Sequence, residues 1–227
     1  MHIKLILTEL LKEIYNLVLN DFKIDWRQKN VLMSIKLYVF STVFLIYIGF
    51  SGVIIDKKVW MGLFWIVILF SIVNSVGTSF AKERKELRFY YTSLASMEAI
   101  LIGKMIYNII LMLFVGIICY CFFVLLTGGW SLNLLLFAFT LFMGITGLTS
   151  VFTLVNALAI KADNNFTLSA ILGIPLIIPL LIIIINLSVL TSSAGNSTEV
   201  LKYFLLLTAL NGIVFSLVYL FARFIKG

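Results

Sequence analysis

The chain has 227 residues, of which 62% are hydrophobic and 12% charged, with a formal net charge of +7. A soluble domain carries roughly 25% charged residues, so a mean hydropathy of +1.14 excludes an ordinary water-soluble globule. With 2 prolines, 14 glycines and 2 cysteines it is no collagen-like, disordered or disulfide-stapled chain either.

Residues 1–30 read as an N-terminal amphipathic helix. Ile3, Ile6, Leu7, Leu10, Leu11, Ile14, Leu17, Val18 and Phe22 recur at spacings of three and four, with Lys4, Glu9, Lys12, Glu13 and Lys23 on the other side. Glu9, Glu13, Asp21 and Asp25 interrupt the segment, so it is not a signal peptide. The pattern predicts a cytoplasmic helix lying at the membrane interface, with Trp26, Arg27 and Lys29 at the water boundary. A coiled-coil or partner-binding helix fits the same stripe.

Residues 31–227 read as one membrane domain. Its apolar blocks reach about 20 residues or more, enough for a helix to cross the roughly 30 Å hydrocarbon core. Barrel strands alternate apolar and polar residues, whereas Ile171 to Leu190 is apolar nearly throughout. The expected class is all-α, with spans at about 31–55, 59–80, 100–126, 132–160, 168–190 and 203–225. With six spans both termini share a side, and of the 17 lysines and arginines only Lys57, Lys58 and Lys202 fall on the other. The positive-inside rule then puts both termini in the cytoplasm, and it gives the positive charge a use other than nucleic-acid binding.

Between the second and third spans lies the longest internal cytoplasmic loop, expected at 81–98. Lys82, Glu83, Arg84, Lys85, Glu86 and Arg88 come first, Phe89, Tyr90 and Tyr91 afterwards, and Leu87, Tyr91 and Leu94 follow a helical stripe. A short helix continuing from the second span can pass rigid-body motion between a soluble motor and the membrane helices. Lys82, Glu83, Arg84, Leu87 and Tyr91 are the candidate contact residues; an ordinary solvated loop has the same composition.

Inside the spans the chain offers little chemistry. Cys119 and Cys121 match no zinc spacing and read as small apolar residues, so no metal site is expected. His2 reads as an interfacial polar group rather than a haem ligand. Asn74, Asn108, Asn156, Asn186 and Asn211 either hydrogen-bond across helices or line a polar path. No catalytic constellation and no phosphate loop G-x-x-x-x-G-K-[ST] occurs, so the chain is expected not to be an enzyme, and a partner would supply energy for uphill movement. Pro175 and Pro179, four residues apart, predict a kink or hinge in the fifth span.

Asp25-Trp26-Arg27-Gln28-Lys29, the stretch Leu37 to Phe44, Ser79-Phe80-Ala81-Lys82-Glu83-Arg84, Ala99 to Lys104, and Ile174-Pro175-Leu176-Ile177-Ile178-Pro179 form an ordered set. Together these segments resemble the CcmB family, or haem exporter protein B. They cover nearly the whole chain in the family's order. Many relatives carry a glycine before the loop leucine and a proline where Ser96-Met97 stand; here the loop reads Glu86-Leu87-Arg88 and then Phe89-Tyr90-Tyr91. The resemblance implies a six-span permease subunit of ABC-2-type architecture in the bacterial inner membrane, acting in cytochrome c biogenesis. Its implied partners are a cytoplasmic ABC ATPase, a second permease copy or related membrane subunit, and haem-handling membrane proteins. Haem would be the transported or handled species, and no substrate-binding residue follows from the resemblance. A related permease for a lipid or drug, or a non-transporting scaffold, would share the same topology.

Overall fold

The computed structural model describes residues 2–28, 30–86, 96–128, 133–161, 166–191 and 197–224. Among them lie seven helices and no strand: α1 (His2–Gln28), α2 (Asn30–Gly49), α3 (Lys57–Glu86), α4 (Met97–Thr127), α5 (Leu134–Lys161), α6 (Phe166–Thr191) and α7 (Ser197–Phe224). Five contain stretches long and apolar enough to cross a membrane: Lys57–Phe80, Glu98–Thr127, Leu134–Ala159, Gly173–Thr191 and Ser197–Ala222.

The bundle is organised around α5. Helices α3, α4, α7 and α6 form a ring in which each touches the next, and all four touch α5. The sequence of α5 suits that place, because the stretch from Gly144 to Asn156 alternates small or hydroxyl residues with aliphatic ones and is buried almost throughout. Its glycines admit neighbours closely. A β-carbon on Gly144 would stand 2.5 Å from the Trp65 ring, and one on Gly147 would collide with the Asn211 amide. A β-carbon on Gly116 of α4 would likewise meet Ile145 at 2.5 Å.

Outside the ring, α1 and α2 run along α4 in the same direction. Glu13 faces Ser96, Phe22 packs edge-on against Tyr107 with ring centroids 4.9 Å apart, and Phe40 meets Phe122 at 4.6 Å. The stripe on α1 is thus spent on protein: Ile14 is buried, Leu17 fills the space over Gly103, and Val18 and Phe22 join the core. Leu11, Tyr15, Leu19 and Trp26 remain exposed along one flank of that stripe.

The first expected span, 31–55, differs from what is observed. Helix α2 stops at Gly49, and its apolar stretch Met33–Gly49 is shorter than the other five. The residues that follow are still apolar, but they form tight turns in which the N–H groups of Phe50, Ser51 and Val53 bond to the carbonyls of Ile46, Ile48 and Phe50. Gly52 takes φ +80°, a conformation open to residues without a β-carbon. The apolar run therefore outlasts the helix, which is why composition extends the span beyond its end.

Candidate functional site

One end of the bundle, where the apolar stretch of α3 ends and α4 begins, holds most of the charged and polar features and is called the inner end below. Helix α3 does not stop at the edge of its apolar stretch at Phe80 but continues unbroken to Glu86. Lys82, Glu83 and Arg84 consequently belong to a helical extension of α3 rather than to a free loop. Their side chains, and that of His2, lie outside the described part, as do residues Leu87 and Tyr91 altogether.

The return into the bundle begins at Ser96. Its hydroxyl caps α4 by accepting from the Ala99 N–H at 3.3 Å, supplying one of the acceptors that helix starts need. The same hydroxyl and the Ser96 N–H donate to Glu13 Oε2 at 3.1 and 3.3 Å, so α1 holds the cap in place. Of the loop expected at 81–98, residues 81–86 are therefore part of α3 and 97–98 part of α4.

A turn or more further in, Lys104 is only 5% exposed and donates from Nζ to the Ser79 carbonyl and hydroxyl, both at 3.3 Å. The Phe80 ring lies 5.5 Å from the same ammonium, a cation–π contact. Near the end of α1, Asp25 is 9% exposed and accepts a hydrogen bond from the Tyr107 hydroxyl. In the sequence Asp25 stands as a charge that argues against a signal peptide and as the first residue of the segment Asp25-Trp26-Arg27-Gln28-Lys29, and neither reading gives it a buried role. The signal was its phase, because Ile14, Val18, Phe22 and Asp25 follow one helical stripe, and an acid on an apolar stripe needs a polar partner.

The remaining sequence candidates separate. Pro175 and Pro179 lie inside α6, which runs through both without a break; both are exposed, while Ile177, Leu180 and Ile184 hold the inner face. The candidate asparagines divide by role. Asn211 Nδ2 bridges to the Met143 carbonyl on α5 at 3.1 Å, Asn156 bonds to Phe152 of its own helix at 2.8 Å, and Asn108 has no partner among the described residues. Cys119 is buried in the core and Cys121 exposed, as small apolar residues on two faces of α4.

At the opposite end the polar seam gives way to rings. Trp60, Phe64, Tyr120, Phe123 and Phe137 join α3, α4 and α5 with centroid separations from 4.8 to 6.2 Å. The indole N–H of Trp60 donates to Thr127 at 2.7 Å and that of Trp65 to Ser188 at 2.8 Å, so neither buried indole is left unsatisfied.

Long apolar helices, a ring closed around α5 and a charged extension at one end define a multi-pass helical membrane protein. The CcmB protein family model matches residues 12–224, nearly the whole chain, and the protein belongs to that family. No individual curated protein gives a significant match.

Proposed function

We propose that the protein is the permease subunit of an ABC-type haem exporter complex in cytochrome c biogenesis. A cytoplasmic ATPase subunit would hydrolyse ATP, and this chain would turn the resulting motion into haem delivery or release of a haem-loaded chaperone. In this reading it has ABC-2-type architecture, crosses the bacterial inner membrane six times, keeps both termini in the cytoplasm and works beside a second permease copy or a related membrane subunit. The exposed Leu11, Tyr15, Leu19 and Trp26 face of α1 then rests at the lipid interface, while its other face stays on α4.

One observation supports coupling above all: α3 carries Lys82, Glu83 and Arg84 out of the bundle on continuous helix, so a push on them is delivered to the helices around α5. The chain on the far side of the segment re-enters at a cap clamped by Glu13, which gives the motion a fixed abutment. Pro175 and Pro179 mark where α6 bends as the ring rocks.

The test is gene deletion followed by complementation with wild type, Glu83→Lys or Arg84→Glu, with haem staining of membrane c-type cytochromes. Wild type restores the cytochromes, and the reversals fail at normal protein levels. Cytochromes unchanged by deletion, in a strain without a second copy, would overturn haem delivery and favour a lipid or drug as cargo. Full restoration by the reversals would overturn coupling through this helix end alone.

A further inference from the structure

Helices α3, α4 and α5 each carry one small polar residue at a corresponding depth: Ser75, Asn108 and Thr149. The depth follows from the register. Helices α3 and α4 run antiparallel, with Trp60 against Phe123, Ile68 against Gly116 and Ser79 against Lys104. Ser75 lies one turn outward from Ser79, and Asn108 one turn outward from Lys104, so the two share a level. Helices α4 and α5 are antiparallel as well, with Tyr120 against Phe137 and Gly116 against Ile145. That pairing brings Thr149 within a turn of Asn108.

All three residues are at most 1% exposed. Among the described residues, Ser75 Oγ, Asn108 Nδ2 and Oδ1, and Thr149 Oγ1 have no hydrogen-bond partner. Other hydroxyls nearby behave differently: Ser71, Ser150 and Thr153 donate to the carbonyls of Val67, Thr146 and Thr149 at 2.7 to 2.8 Å. A buried polar group stripped of partners costs about 1–3 kcal/mol, and native proteins satisfy nearly all of them. Several orphan donors and acceptors at one level, drawn from three helices, instead match what a buried water needs, which is two to four polar partners.

We infer that Ser75, Asn108 and Thr149 form an internal hydration site, whose ligand is water held between the aromatic end of the bundle and the cytoplasm. Lys104, bonded to Ser79, closes it on the inner side, and Ile68, Met112 and Ile145 bound it on the outer side. Hydrogen bonds to water reform at many angles, so the site lets three packed helices shift against one another without stranding a polar group.

Two native methionines report on it. Met112 stands one turn from Asn108 on α4, and Met61 lies beside Trp60 at the aromatic end; they are 1% and 0% exposed. The full chain in lipid nanodiscs is given millisecond X-ray pulses, which generate hydroxyl radicals from water, and methionine oxidation is read by mass spectrometry. Met112 oxidises roughly five-fold faster than Met61 or more, although both are shielded from bulk solvent. Combining Ser75→Ala, Asn108→Leu and Thr149→Val brings Met112 down to the Met61 rate. Equal labelling of the two methionines in the wild-type protein overturns the site, and so does unchanged Met112 labelling in the triple variant. The wild-type comparison decides by itself if that variant does not fold.

Discussion

The two ends of the bundle are packed by different means from the same helices. Towards the outer end, α3, α4 and α5 meet through Trp60, Phe64, Tyr120, Phe123 and Phe137, large rings packed edge to face, tilted or stacked. Towards the inner end the same helices meet through serine, threonine, asparagine and a buried lysine. Ring packing is selective in shape and tolerates little movement. Hydroxyls that bond back to their own helix, such as Thr146, Ser150 and Thr153, leave the helices few polar ties to one another. The contrast teaches that the outer end is held by the shapes of rings and the inner end by a few polar bonds such as Lys104 with Ser79, and it is the inner end that carries the charged extension of α3.

The sharpest way to break that contrast is to remove a ring. Trp65→Ala is expected to destabilise the protein by about 3–5 kcal/mol, the range for truncating a buried Trp, measured by denaturant unfolding in detergent micelles. Gly144→Ala should cost about 1–3 kcal/mol, because the added carbon forces the Trp65 ring aside; a loss below that range would show the aromatic end to be looser than its packing suggests.

Tyr107→Phe leaves the Asp25 carboxylate without its tyrosine donor and is expected to cost about 1–2 kcal/mol. Hydrogen exchange should rise in α1 and leave the outer parts of α3 and α5 unchanged; uniform loosening would deny that α1 is a separate attachment. The smallest effect is expected for Thr153→Val, whose hydroxyl serves only its own helix. A change within about 0.5 kcal/mol would agree with that, and a cost above about 1.5 kcal/mol would mean the hydroxyl ties helices together.

Much of this architecture is legible in the sequence, for a physical reason. A span is set by the thickness of the membrane, and apolar block length reports it directly, so α4, α5 and α6 fall close to their expected limits, while α3 runs on to Glu86 and α7 begins already at Ser197. The early end of α2 was hidden because Phe50, Val53, Ile54 and Ile55 continue the apolar composition through turns. The stripe on α1 announced a partner but could not say whether lipid or protein would cover it; α4 takes one face and leaves Trp26 outside. The meeting of Ser75, Asn108 and Thr149 was illegible because nearly uniform apolar helices do not reveal their facing sides, and the register is set by glycines and rings far along each helix. Of the candidate coupling residues, the sequence placed Lys82, Glu83 and Arg84 on a continuation of the second span, and the backbone of α3 runs through all three.

The clamp between Asp25 and Tyr107 joins residues separated by 82 positions. Translation at about 5–20 residues per second leaves α1 without its α4 face for roughly 4 to 16 s after it is made. Throughout that interval Ile14, Leu17 and Phe22 lack the α4 surface that covers them in the finished bundle. Burial of the α1 stripe thus waits on the synthesis of α4, and the acid on that stripe gains its tyrosine donor only then.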